Sequence, residues 1–269
     1  MGGVIYGVGE DNKLVRMEET LYETEDIFQS LLESYPDLLA GDQISQSAPR
    51  RWVLVGREYA VPGEEGGVGQ WSLDHLFLDQ DGIPTMVEVK RSSDTRIRRE
   101  VVGQMLDYAA NGVAYWPVEK LRTHFEARCN AEGVTPSEKL SECFGGEVDE
   151  EEFWGKVKTN LGAGRVRMLF VADQIPNELR RIVEFLNEQM DPAEVLAIEI
   201  RQFTGEGQKI LVPRVIGQTA EAERKKSVSG TTQWDESTFF AALTEQQGQS
   251  KADIVRRILA WSEERFPRI

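Results

Sequence analysis

The sequence predicts an α/β protein, a mixed central sheet flanked by helices, and three observations carry that expectation. Strand-like apolar runs stand at residues 51–61, 71–79, 85–90, 165–173 and 194–203. Segments with helical spacing of apolar residues lie before, between and after them. The short turn signal Gln80-Asp81-Gly82 joins two of the runs into a hairpin, whereas the later strands alternate with stretches long enough to be crossover helices.

The elements follow in order. Leu21, Ile27, Phe28, Leu31, Leu32 and Leu38 recur at helical spacing from 19 to 39, and Pro36 closes the pattern, so a first helix ends near Tyr35. The strand at 51–61 ends at Pro62 and a Gly-Glu-Glu-Gly-Gly loop, and the hairpin 71–90 comes next. Residues 95–111 are helical, with Val101, Val102, Met105, Leu106, Ala109 and Ala110 on a broad apolar face and Gly112 as the expected C-terminal stop. Residues 113–162 are polar and mostly helix-like, an insertion covering one side of the core. After the strand at 165–173, residues 176–190 form an amphipathic helix with Pro176 at its start, and 194–203 return as a strand.

Length and composition bound the organisation. A chain of 269 residues, 40% of them hydrophobic, supports one sizeable core, placed at 1–217. Residues 218–232 are charged and polar, as a linker is. Residues 233–269 carry two short helices, one after Asp235 with Phe239, Phe240 and Leu243, the other after Ser250 with Ile254, Ile258 and Trp261. So small a segment needs a surface to dock on, which implies a homodimer, a protein partner or the main domain itself. No secretory leader and no run of about 18 apolar residues is present, so a cytoplasmic protein with no membrane association is expected. Cys129 and Cys143 have no second pair and no histidine cluster beside them, which argues against zinc, redox chemistry and a disulfide framework.

The formal charge of −15 opposes non-specific binding to a polyanion unless the basic groups are gathered. They are partly gathered: Lys90, Arg91, Arg96, Arg98 and Arg99 lie between residues 88 and 99. On its own this run reads as a solvated helix start. Its place directly after the best catalytic candidate favours a surface that contacts phosphate.

That candidate is Asp74 on one hairpin strand with Glu88-Val89-Lys90 on the other. Glu88 and Lys90, two apart in a strand, point to the same face. Asp74 joins them only if the turn is the three-residue Gln80-Asp81-Gly82, with Gly82 left-handed, because a shift of one residue would move Asp74 to the opposite side. Both acids stand among apolar neighbours, where a carboxylate is costly unless paired or bound to a cation. His75 alternates to the other face and His124 is alone in a helix-like segment, so both read as structural; Asp79 and Asp81 fit turn chemistry.

In these residues the chain resembles the PD-(D/E)XK nucleases, whose signature is an acid on the second core strand and (D/E)-x-K on the third. The resemblance extends to Gln104-Met-Leu-Asp-Tyr108 on the following helix and to a glutamate of the first helix, Glu25, with Glu23 as an alternative. It implies a restriction-endonuclease-like sheet and phosphodiester hydrolysis, DNA ahead of RNA. By that resemblance Asp74, Glu88 and the Val89 carbonyl bind Mg²⁺, with Mn²⁺ as a substitute, and Lys90 positions or activates the attacking water. Glu25 would hold a water or a second ion. Gln104 and Tyr108 would steer the scissile strand or brace the lysine. The rival expectation is a catalytically silent module of the same fold that binds nucleic acid or assembles with protein.

Overall fold

The computed structural model describes residues 3–8, 12–63, 69–94, 100–220, 222, 236–263 and 265. By internal contacts the chain divides into Met1–Val228 and Ser229–Ile269. The first unit runs β1 (Val4–Val8), β2 (Leu14–Thr20), α1 (Glu25–Ser34), a 3-10 turn (Pro36–Leu39), α2 (Gly41–Ile44), β3 (Trp52–Pro62), β4 (Gly69–Asp79) and β5 (Pro84–Lys90). It continues with α3 (Glu100–Tyr115), α4 (Val118–Glu132), α5 (Pro136–Phe144), α6 (Glu150–Gly162), β6 (Arg167–Ala172), α7 (Asn177–Gln189), β7 (Glu194–Gly205) and β8 (Gln208–Ile216).

The eight strands form one mixed sheet in the order β1-β2-β7-β6-β5-β4-β3, with β8 paired to β7. β5, β6 and β7 are parallel, and every other pairing is antiparallel. β5 is central and buried at all seven of its positions. Alternation along the strands therefore divides the apolar side chains into two cores. Leu76, Leu78, Met86, Met168, Phe170 and Ala197 face the helices that follow β5, while Phe77, Val87, Val89, Leu169, Val171 and Ile198 face Phe28 and Leu32 of α1.

Two local devices aim the elements that matter. The Thr24 hydroxyl accepts the Ile27 N–H at 3.1 Å and caps α1, so Glu25 and Asp26 stand in its first turn, where the helix dipole favours negative charge. At the hairpin, Gly82 N–H donates to Asp79 O at 2.9 Å with Gly82 at φ 69°, and an added Cβ would lie 2.9 Å from the Val157 backbone nitrogen. Only glycine suits that position.

The structure departs from the sequence reading in several places. β1, β2 and β8 are additional strands, and Glu19 and Thr20 belong to β2 rather than to a helix. α3 runs through Gly112 to Tyr115. The glycine serves packing instead of a stop, because the Trp116 ring lies 2.7 Å from where its Cβ would be. The helices of 113–162 are more than a polar cover, since Leu121, Phe125, Leu140, Phe153, Trp154 and Val157 are buried in the main core. The second unit holds α8 (Glu236–Gln247) and α9 (Gln249–Glu263), joined at Gly248 with φ 85°, and Arg256 stacks 4.6 Å above the Phe240 ring. No helix among the described residues is long and apolar enough to cross a membrane.

Candidate active site

The hairpin has the three-residue turn that the site requires. β4 and β5 pair from His75 with Val87 to Leu78 with Pro84; one step further along the same register sets Asp74 opposite Glu88. At the other end the Asp79 N–H reaches Ile83 O at 3.3 Å. Asp74, Glu88 and Lys90 thus share one face, and α1 brings Glu25 to the same point.

Lys90 is the hub. Its Nζ lies 3.0 Å from Glu25 Oε1, 3.1 Å from Glu88 Oε1 and 3.5 Å from Asp74 Oδ2, and it donates to the Val89 carbonyl at 2.8 Å. Asp74 Oδ2 also accepts the Val89 N–H at 2.7 Å, which locks the acid against the neighbouring strand. Exposure falls from 30% for the Glu25 side chain to 14% for Asp74 and 4% for Glu88. Behind Glu88 and Lys90, Val101, Phe170, Val171, Ile175 and Leu179 wall a gap with no room for a water molecule. Glu88 Oε2 is buried and has no hydrogen-bond partner among the described residues.

The electrostatics follow from that placement. Burial pushes the Glu88 carboxyl up to about 7, the Asp74 carboxylate adds to the rise, and the Lys90 ammonium opposes it. Asp74 is also raised by burial, against the pull of Lys90 and of the Val89 N–H. For Lys90, burial favours the neutral amine, but Glu88, Asp74 and Glu25 outweigh it and hold the ammonium above the usual lysine range. Three carboxylates against one ammonium leave two negative charges when all are ionised.

That surplus, with the orphaned Glu88 Oε2, is what a divalent cation would satisfy. Two carboxylates and a carbonyl, with water in the remaining positions, is a donor set that suits Mg²⁺. Asp74, Glu88 and Val89 O could provide it. Among the described residues no group of three or more His, Cys, Asp or Glu side chains is placed to hold a metal ion, and the carboxylates that meet at Lys90 stand at ammonium distances.

The other expected site residues make contacts of their own. Arg91 donates through Nη1 to Glu23 O at 2.7 Å and Tyr22 O at 3.3 Å, which ties it to the chain entering α1. Arg96, Arg98 and Arg99 lie outside the described residues. Gln104 is exposed on α3. Tyr108 is 4% exposed and donates to Ser72 O at 3.2 Å, which braces β4 two residues before Asp74. His75 is on the opposite face with Nε2 3.0 Å from Gln29 O, and burial pushes it down to about 4, so it is neutral. His124 Nδ1 is 2.7 Å from the Tyr59 hydroxyl.

Asp173, just beyond β6, went unnoticed in the sequence. Its Oδ1 accepts the Ser92 N–H at 2.6 Å and the Gln174 N–H at 3.0 Å, pinning the chain that leaves Lys90. The available signal was its position, at the carboxyl end of an apolar strand next to the one that ends in Lys90. Comparison with protein-family models, curated proteins and solved structures finds no match to the chain.

Proposed function

We propose that the chain is a nuclease of the PD-(D/E)XK type that hydrolyses phosphodiester bonds, DNA ahead of RNA, with Mg²⁺ as its cofactor. The observation that carries this is the convergence of Asp74, Glu88 and Lys90 on one buried face, with a Glu88 oxygen left unpartnered. A buried excess of negative charge beside a lysine is costly to the fold and is explained by chemistry that needs it.

Asp74, Glu88 and the Val89 carbonyl would hold the cation, which supplies charge neutralisation at the phosphate and polarisation of the bond to be cut. Lys90 orients the attacking water through its N–H groups and offsets charge that grows on the phosphoryl oxygens. The Val89 N–H and the Tyr108 bond to Ser72 keep Asp74 in place while this happens. The apolar wall behind Glu88 keeps bulk water from the far side of the carboxylates.

The test is cleavage of labelled single-stranded DNA, double-stranded DNA and RNA by the wild-type chain and by Lys90→Ala, with Mg²⁺, Mn²⁺ or EDTA. Cutting should need the metal and fall by about 10²–10³-fold in the variant. Binding without cutting under every condition would replace this reading with a catalytically silent module, a role that the net charge of −15 also accommodates when a protein is the partner.

A further inference from the structure

We infer that the Lys90 ammonium occupies the cation position of the resting site, and that Glu25 is the residue to which Lys90 withdraws when a divalent cation enters, so that Glu25 is a positioning residue for Lys90 and not a metal ligand. The inference rests on the proposed metal-dependent reading of the site.

Four oxygens surround Lys90 Nζ, from Glu25, Glu88, Asp74 and the Val89 carbonyl. An ammonium has three protons to give, so it cannot bond all four well, and Asp74 at 3.5 Å is the weakest partner. Three of the four, Asp74, Glu88 and Val89 O, are the donors that a cation would take. Asp74 and Glu88 each have a second oxygen to offer, but a dication bound to these groups would lie beside the ammonium, and repulsion between the two positive charges drives Lys90 back from all three.

Glu25 is suited to receive it. It is the most exposed of the three carboxylates, so an ammonium that moves toward it gains water in place of the partners it leaves. Its position is set independently of Lys90. Thr24 caps α1 through the Ile27 N–H, and Arg91 holds the carbonyls of Tyr22 and Glu23 just before the cap. The carboxylate therefore stays in the first turn of α1 wherever the lysine goes, and Lys90 keeps one charged partner in both states. From that partner its N–H groups remain close enough to the site to direct a water.

The two roles for Glu25 separate in a double-mutant cycle read by Mn²⁺ binding to the full-length chain, followed by calorimetry and by the electron paramagnetic resonance signal of free Mn²⁺. Lys90→Met should bind Mn²⁺ about tenfold or more tighter than wild type, because no ammonium has to leave. Glu25→Gln should weaken binding about tenfold in the wild-type background and less than about threefold in the Lys90→Met background, since its effect acts through the lysine. Equal weakening in both backgrounds would make Glu25 a ligand and overturn the inference, as would an unchanged affinity in Lys90→Met. If neither wild type nor Lys90→Met binds Mn²⁺, the metal-dependent reading itself fails. Lys90→Gln, with thermal melts of every variant, supplies the cycle if the methionine variant does not fold.

Discussion

The hairpin of β4 and β5 carries a buried charge cluster at each end, and the two are built on opposite principles. At the turn, Asp79 Oδ1 accepts the N–H groups of Asp81 and Ile83, and its Oδ2 accepts from Arg167 at 2.9 Å. Arg167 also bonds Glu194 and lies 5.2 Å over the Trp52 ring, while Arg50 stands 3.8 Å from Asp79. Two arginines stand there against Asp79, Asp81 and Glu194, and Asp79, the buried acid, uses both oxygens. At the open end, three carboxylates share one lysine, and Glu88 Oε2 meets no hydrogen-bond partner of good geometry among the described residues. The same two strands thus hold one cluster whose buried acid is fully bonded and one that keeps a surplus of negative charge.

Neutralising one acid at each end should therefore change stability in opposite directions. Asp79→Asn weakens one of the two carboxylate bonds of Arg167, with Glu194 remaining, and is expected to cost about 1.5–3 kcal/mol in denaturant unfolding. Glu88→Gln removes the surplus charge and is expected to stabilise the metal-free protein by up to about 3 kcal/mol at pH 8, while abolishing cutting. A destabilising Glu88→Gln at that pH would mean that the two ends do not differ as described.

The pH dependence sharpens the same contrast. Glu88 titrates near 7 in the folded chain against 4.5 ordinarily, so the folded state holds its proton longer, and the stability it contributes is lost as pH rises from about 4.5 to about 7. His75, one residue from Asp74 but on the other face, is pushed down to about 4 from 6.5 by burial. Its contribution has the opposite sign, present above 6.5 and lost as pH falls toward 4. In wild type the two slopes offset each other between pH 4.5 and 6.5. In Glu88→Gln stability should rise with pH across that window, and in His75→Gln it should fall, each by up to about 3 kcal/mol in urea titrations. Parallel profiles for the three proteins would remove the basis for both assignments.

What the sequence disclosed follows from which interactions have a fixed period. A strand alternates every two residues, so Glu88 and Lys90 could be placed on one face, and Gly82 fixed the turn that brings Asp74 opposite Glu88. β1, β2 and β8 were not visible because they lie toward the sheet's margins, half exposed, and mix charges such as Arg16, Glu18 and Lys209 with their apolar residues. Glu25 is singled out by the family resemblance, with Glu23 as the alternative; spacing alone does not mark it, and it reaches Lys90. Arg91, Tyr108 and Asp173 act on backbone groups of other elements, at Glu23, Ser72 and Ser92, and no spacing within their own segments encodes which amide or carbonyl arrives there.

The smallest expected effect concerns Tyr108, which links the open end of the hairpin to α3. Burial and the nearby Glu88 and Asp74 carboxylates push its phenol up to about 12, so it stays protonated and serves as a donor, never as a base. Among the described residues its hydroxyl bonds the Ser72 carbonyl, and Tyr108→Phe keeps the ring in the core while removing that bond. Stability should fall by about 1 kcal/mol, and cutting should stay within about threefold of wild type if the hydroxyl serves only to hold Ser72. A residue that touched the scissile strand would behave otherwise, with a loss of about tenfold or more in kcat/KM and little change in melting temperature. That second pattern would place Tyr108 with the reacting groups and make the open end of the hairpin a larger site than the four residues around Lys90.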